Sequence, residues 1–225
     1  MAGGSGAVIR SAAALDDSLF SNVLQELVQN RTQADWDRQS GRFMAEEQQR
    51  IGALILSRKR LPEVPVEARR TALIDMIEKD GLKLLPWQDE QRQWCARVLL
   101  LRSLEDPQYW PDVSESQLLA SLEQWLGPYL DNVNSLQDLN KLDLGMILGG
   151  FLSWEQQQRL NELAPLRIRV PSGSKLKIDY RETPPVLAVK LQEMFGCTET
   201  PTIVNGKVEL MLHLLSPAGR PLQIT

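Results

Sequence analysis

Residues 166–180 read LRIRVPSGSKLKIDY. Apolar Ile168 and Val170 alternate with Arg167 and Arg169, and Leu176 and Ile178 alternate with Lys175 and Lys177. A period of two marks a half-buried strand, and PSGS between the runs supplies a turn, so the segment predicts a β-hairpin. Arg167 and Arg169 share one face of it, as do Lys175 and Lys177. Downstream, Thr183 is placed to cap a helix that opens on Pro184-Pro185, runs through VLAVKLQEMF and stops at Gly196. TIV and KVELMLHLL then read as strands around a turn at Asn205-Gly206. The chain closes on RPLQIT, a strand-like run with no polar tail, which reads as a piece of a longer polypeptide.

Upstream the period changes from two to 3.6. VEARRTALIDMIEKD, 66–80, is followed by Gly81 as a helix stop. A second helix is expected over about 87–104, with Trp87, Trp94, Val98 and Leu101 on one side. Ser114 with Gln117 and Ser153 with Gln156 read as capping boxes, and Ser135 with Asp138 as a weaker cap. Gly127-Pro128 and Pro165 end two of these segments. Before them, 16–30 shows helical spacing at Leu19, Val23 and Leu27, and ADWDRQSGRFMAEE predicts a hairpin turning through Ser40-Gly41. IGALILS, 51–57, reads as a buried strand. The expected fold class is α+β: a β-containing N-terminal segment over 1–62, an acidic helical subdomain over 63–165, and a C-terminal unit of antiparallel hairpins with one helix over 166–225.

The charge distribution sharpens that division. The net charge of -4 sums a segment of +1 (1–60), one of -8 (61–165) and one of +3 (166–225). Polyanion binding by the whole chain is therefore not implied, while a basic surface on the last third is allowed, because electrostatics near a phosphate is local. Two cysteines and one histidine exclude a disulfide scaffold, a four-thiolate zinc site and a multi-histidine metal site. No apolar run approaches the roughly 20 residues of a membrane span. MAGGSGAVIR lacks the basic and apolar regions of a secretory signal. A cytoplasmic protein with reduced thiols is expected.

Catalytic patterns are missing. Gly4-Ser5-Gly6 is followed by no lysine, so it is no phosphate-binding loop. The acid pairs Asp16/Asp17 and Asp89/Glu90 sit near helix starts, where the dipole accounts for them. His213 is accompanied by no nucleophile signature. Cys95 lies on the apolar side of a helix, whereas Cys197 follows a helix stop. Five of the six tryptophans fall in the acidic helical region and read as core or inter-helix anchors. Trp36, between near-neutral flanks, is the one ring expected to contact a base.

The strings VPSGSKLKIDY, PPVLAVKLQEMFG, ETPTI and HLLSPAGRPLQIT, in this order and spacing, resemble the C-terminal part of the HrpB family of bacterial DEAH-box ATP-dependent helicases. IGALILS, GLKLLPW, WPDVSESQLLASLEQWLGPYL and LNKLDL resemble that family's preceding segments, so the likeness covers roughly 8–225. The last 55 residues or so are its most specific part. The ATPase core has no counterpart here: there is no phosphate-binding loop with its lysine, no DEAH box and no arginine-rich motif of the second RecA-like domain. QSGR at 39–42 shares only letters with that motif. The resemblance implies a parent that uses ATP and magnesium to remodel nucleic acid, and a region that carries neither cofactor nor catalytic residue. Its implied partners are single-stranded RNA or DNA and the parent's own motor, with no membrane. Arg167, Arg169, Lys175, Lys177, Arg181, Lys207 and Arg220, with Trp36, are the residues expected to meet the strand, the cations through phosphate. A protein-interaction or scaffold module with incidental basic residues is the alternative reading, favoured by the acidic middle.

Overall fold

A computed structural model of the protein describes residues 24–37, 42–217 and 221–224. Two compact units divide the chain, residues 1–72 and 73–225.

In the first unit β1 (Gln29–Asp37), β2 (Arg42–Ile51) and β3 (Leu54–Arg60) form an antiparallel sheet in that order. The hairpin expected from ADWDRQSGRFMAEE is present: Trp36 pairs with Phe43, their rings meeting edge to face at 5.1 Å. Its Ser40-Gly41 turn lies outside the described residues. Two expectations are corrected. The helix over 16–30 survives in the described residues only as a single 3-10 turn, Gln25–Leu27, and Gln29 and Asn30 already belong to β1. Nine cross-strand pairs with β2 outweigh a weak local helical preference there. IGALILS is not one buried strand. It turns at Gly52, whose φ of 57° suits glycine, and Leu54, the first residue of β3, is 58% exposed.

α1 (Val66–Asp80) buries Leu73, Ile74 and Ile77 and ends where the Gly81 N–H donates to the Ile77 carbonyl with φ at 88°. α2 (Asp89–Leu104) buries Gln93, Arg97, Val98 and Leu101. Short helices follow: α3 (Glu115–Ala120), α4 (Leu122–Trp125), α5 (Leu136–Leu139), α6 (Leu144–Gly149) and α7 (Trp154–Leu163). Ser153 caps α7 with a complete box: its Oγ accepts from the Gln156 N–H at 3.1 Å and its own N–H donates to Gln156 Oε1 at 2.8 Å. At Ser114 only half of the expected box forms. Gln117 N–H donates to its Oγ at 3.4 Å, but the Ser114 N–H donates to Asp112 Oδ1 instead. Ser153→Ala is expected to cost about 1 kcal/mol, read as a lower urea midpoint, with Ser114→Ala costing less.

The second sheet runs β10-β9-β6-β5-β4. β4 (Arg167–Arg169) and β5 (Lys175–Asp179) are the expected hairpin, in the register Arg167 to Lys177 and Arg169 to Lys175. The helix expected over 186–195 is instead β6 (Val186–Lys190) and one 3-10 turn, Leu191–Met194. Val186, Leu187 and Val189 are buried while Ala188 and Lys190 are exposed, and β6 pairs in parallel with β9 (Met211–Leu215) along its whole length. The β-branched alternating run is drawn into the sheet centre, where its apolar face covers the core. KVELMLHLL also divides. β8 (Val208–Glu209) pairs with β7 (Thr202–Ile203) around the turn at Asn205-Gly206, and the rest is β9. β10 (Pro221–Ile224) is the far edge.

One core joins α2 and α7 to this sheet. Val98, Leu101, Trp110, Leu160, Leu163, Ile178, Leu187 and Val189 pack together in it. Trp110, fully buried, donates its indole N–H to Glu105 at 2.9 Å. Trp125 is buried as expected, but Trp154 is 76% exposed, because its place at the first position of α7 points it away from the face that carries Leu160 and Leu163. No helix among the described residues is long and apolar enough to cross a membrane.

Candidate nucleic-acid interface

In β4 and β5, Ile168, Leu176 and Ile178 turn inward and leave Arg167, Arg169, Lys175 and Lys177 exposed. Pairing across the ladder places all four cations on one outer face, two on each strand. The hairpin tip is held to the turn after β6, since the Ser172 N–H donates to the Glu193 carbonyl at 3.2 Å.

The root of the hairpin is electrostatically occupied. Lys177 hydrogen-bonds Asp89 at the start of α2, and Arg181 reaches the same carboxylate at 2.8 Å and Asp179 at 2.5 Å. Gln93 ties this cluster to the core, donating to Asp179 Oδ1 at 2.6 Å and accepting from the Tyr180 N–H at 2.9 Å. The Lys177 hydrogen bond holds the Asp89 carboxyl below its ordinary value, and the Arg181 hydrogen bond does the same to Asp179. Arg169 and Lys175, nearer the tip, have no acid partner among the described residues. Arg167 donates to the Lys175 carbonyl at 3.2 Å.

Lys207 lies elsewhere. It is exposed on the turn between β7 and β8, and its charge helps to depress Glu105, which is already lowered by its hydrogen bond to Arg159. Asp89 and Glu105 bound the 16-residue α2, so the hairpin root and Lys207 are roughly 24 Å apart along that helix. Trp36, half-buried on β1, belongs to the first unit. Arg220 lies outside the described residues. The structure therefore brings together Arg167, Arg169, Lys175, Lys177 and Arg181, and does not group Lys207 with them.

Acid dependence follows from these carboxylates. Asp89, Asp179 and Glu105 are all more acidic in the folded chain than in the unfolded one. A depressed carboxylate contributes stability that is complete above its unfolded value and is lost as pH falls through the folded value. The urea midpoint is expected to hold steady above about pH 5 and to fall progressively below about pH 4. Asp179→Asn should flatten that acid limb; an unchanged limb would show that this cluster does not set it.

Sequence reasoning missed two features. Phe195, 68% exposed beside the hairpin tip, was assigned to a helix that does not form. A cationic cleft also exists within the acidic middle, and no local pattern signals it because its parts come from separate segments.

Both family models that match this chain describe regions of ATP-dependent helicases. Residues 27–61, which hold β1 to β3, match the family model described as "ATP-dependent RNA helicase HrpB, connector region". Residues 125–225 match "ATP-dependent helicase C-terminal". The chain belongs to the HrpB family of ATP-dependent helicases. It is 41% identical over 201 residues to the ATP-dependent RNA helicase HrpB of Escherichia coli K12, covering 89% of this chain and 25% of that protein. Two solved structures are similar. The E. coli DExH-box NTPase HrpB superimposes with a TM-score of 0.74 at 39% identity over 94% of this chain and 26% of that one. The E. coli DEAH/RHA helicase HrpB gives 0.69 at 40% identity over 88% and 25%. The chain thus spans about a quarter of the length of the proteins it matches.

Proposed function

We propose that these residues are the accessory region of an ATP-dependent helicase, gripping single-stranded nucleic acid and packing on the motor, with no ATPase site of their own. The observation that carries this is the outer face of β4 and β5, where four exposed cations stand in cross-strand register on a short edge ribbon. Such a ribbon meets phosphates without reading sequence. The Escherichia coli relative's name, an RNA helicase, favours RNA over DNA. A scaffold role is the second reading, and the exposed rings of Trp154 and Phe195 favour it as protein-docking points. Fluorescence anisotropy of labelled single-stranded RNA and DNA separates the two. The helicase reading expects binding at low salt that weakens steeply as salt rises, and the scaffold reading expects none. The purified chain is expected to hydrolyse no ATP above the buffer rate.

A further inference from the structure

A cleft of about 370 Å³ opens beside α2, within the range that holds small ligands. Leu82, Ala96, Leu99, Val113 and Leu118 give it an apolar floor. Lys83, Arg92 and Arg181 stand at its edge against one acid, Glu115. Arg181 is engaged by Asp179 and Asp89, but no acid pairs with Lys83 or Arg92 among the described residues. Trp87 also lines the cleft, and its indole N–H is shielded from solvent without meeting an acceptor. A buried donor left unmatched is costly, so such groups call for a partner. An apolar slot with a ring, an unmatched donor and two unpaired cations suits a flat, acceptor-bearing, anionic molecule.

We propose that this cleft seats one nucleotide of a bound single strand, its base on the apolar floor by Trp87 and its phosphate on Lys83 and Arg92. The assignment rests on the nucleic-acid reading above and extends it. Arg181 borders this cleft and shares Asp89 with Lys177, so the cleft continues from the root of the cationic hairpin. The surrounding segment is acidic in total, yet the cleft edge is locally cationic, and over a Debye length of about 8 Å the local charge decides.

The test uses the 225-residue chain, labelled single-stranded RNA of about 12 nucleotides, and Trp87→Phe and Arg92→Glu. Arg92→Glu is expected to weaken binding about tenfold and to flatten its salt dependence. Trp87→Phe keeps the ring but removes the N–H; it should weaken binding about fivefold while leaving the urea midpoint unchanged or raised. A chain that binds RNA through Arg169 and Lys175 but ignores both cleft variants overturns the cleft and leaves the hairpin reading standing. A chain that binds no RNA at low salt overturns both. Binding of an acidic apolar peptide in place of RNA, lost in Arg92→Glu, assigns the cleft to a protein and overturns the nucleotide.

Discussion

Replacing Arg97 with methionine is expected to lower the stability of residues 73–225 by about 3 kcal/mol, moving the urea midpoint down by about 1.5 M. Arg97 is 3% exposed in the middle of α2. Its guanidinium donates to the Ala164 carbonyl at 2.6 Å, to Asn161 Oδ1 at 2.8 Å and to the Leu160 carbonyl at 3.3 Å. These acceptors are at the C-terminal end of α7, where the dipole is negative; the Leu160 carbonyl also accepts from the Ala164 N–H at 3.0 Å, while the Ala164 carbonyl lies past the last helical hydrogen bond. Burial pulls the Arg97 value down, but an arginine stays charged at neutral pH. Methionine keeps an apolar stem and removes every donor, leaving the Ala164 carbonyl and Asn161 Oδ1 without Arg97 while the Leu160 carbonyl keeps the Ala164 N–H. Each charge-assisted bond contributes roughly 1.5–3 kcal/mol, and the recovered desolvation cost of the cation offsets part of their sum. Lysine cannot restore the fork, so Arg97→Lys should recover little. Arg159→Met, which breaks an exposed pair with Glu105 at 2.6 Å, should cost under about 1 kcal/mol. Equal shifts for the two methionine variants would refute the capping account.

The double variant Arg169→Glu, Lys175→Glu is expected to weaken single-stranded RNA binding by at least roughly tenfold at low salt. Both side chains are exposed, neither has an acid partner among the described residues, and they face each other across the ladder. Losing two phosphate contacts should reduce the slope of log affinity against log salt by about 1.4, at about 0.7 per contact for a single strand. Their exposure keeps the fold out of the measurement: the urea midpoint should move by no more than about 0.5 kcal/mol equivalent. Lys177→Glu is a weaker probe, because Lys177 is committed to Asp89 and its reversal also disturbs the root of the hairpin. Lys207→Glu, at the other end of α2, should leave the slope unchanged if the ribbon alone carries the strand. A slope unaffected by the double variant would remove the hairpin from the interface.

Local patterns and long-range packing divide the credit for this structure. The hairpin at 166–180, the turn at Asn205-Gly206, the stop at Gly81 and the cap at Ser153 were legible because each is decided within a few residues. Alternation, a glycine at positive φ or a reciprocal cap needs no distant partner. The α+β class followed from the same signals, and the family from short strings in order. By contrast, VLAVK was assigned to a helix because its neighbours Pro184-Pro185 and Gly196 look like helix ends; only the parallel ladder with β9, more than 20 residues later, makes it a strand.

The candidate site divides in the same way. That Arg167, Arg169, Lys175 and Lys177 share a ribbon was readable, since register in a short hairpin is local. That Lys177 and Arg181 are bound by Asp89, about 90 residues away, while Arg169 and Lys175 are left without an acid partner, was not. Nor was the cleft by Trp87, assembled from the segment before α2, α2 itself, α3 and Arg181 after β5. Sequence alone therefore determined which segments are strands, caps and turns wherever neighbours set the backbone, and which charges each segment carries. Tertiary structure alone decided which of those charges are paired, which rings are covered and where a cavity opens, because burial and Coulomb energy depend on distance in space and not along the chain.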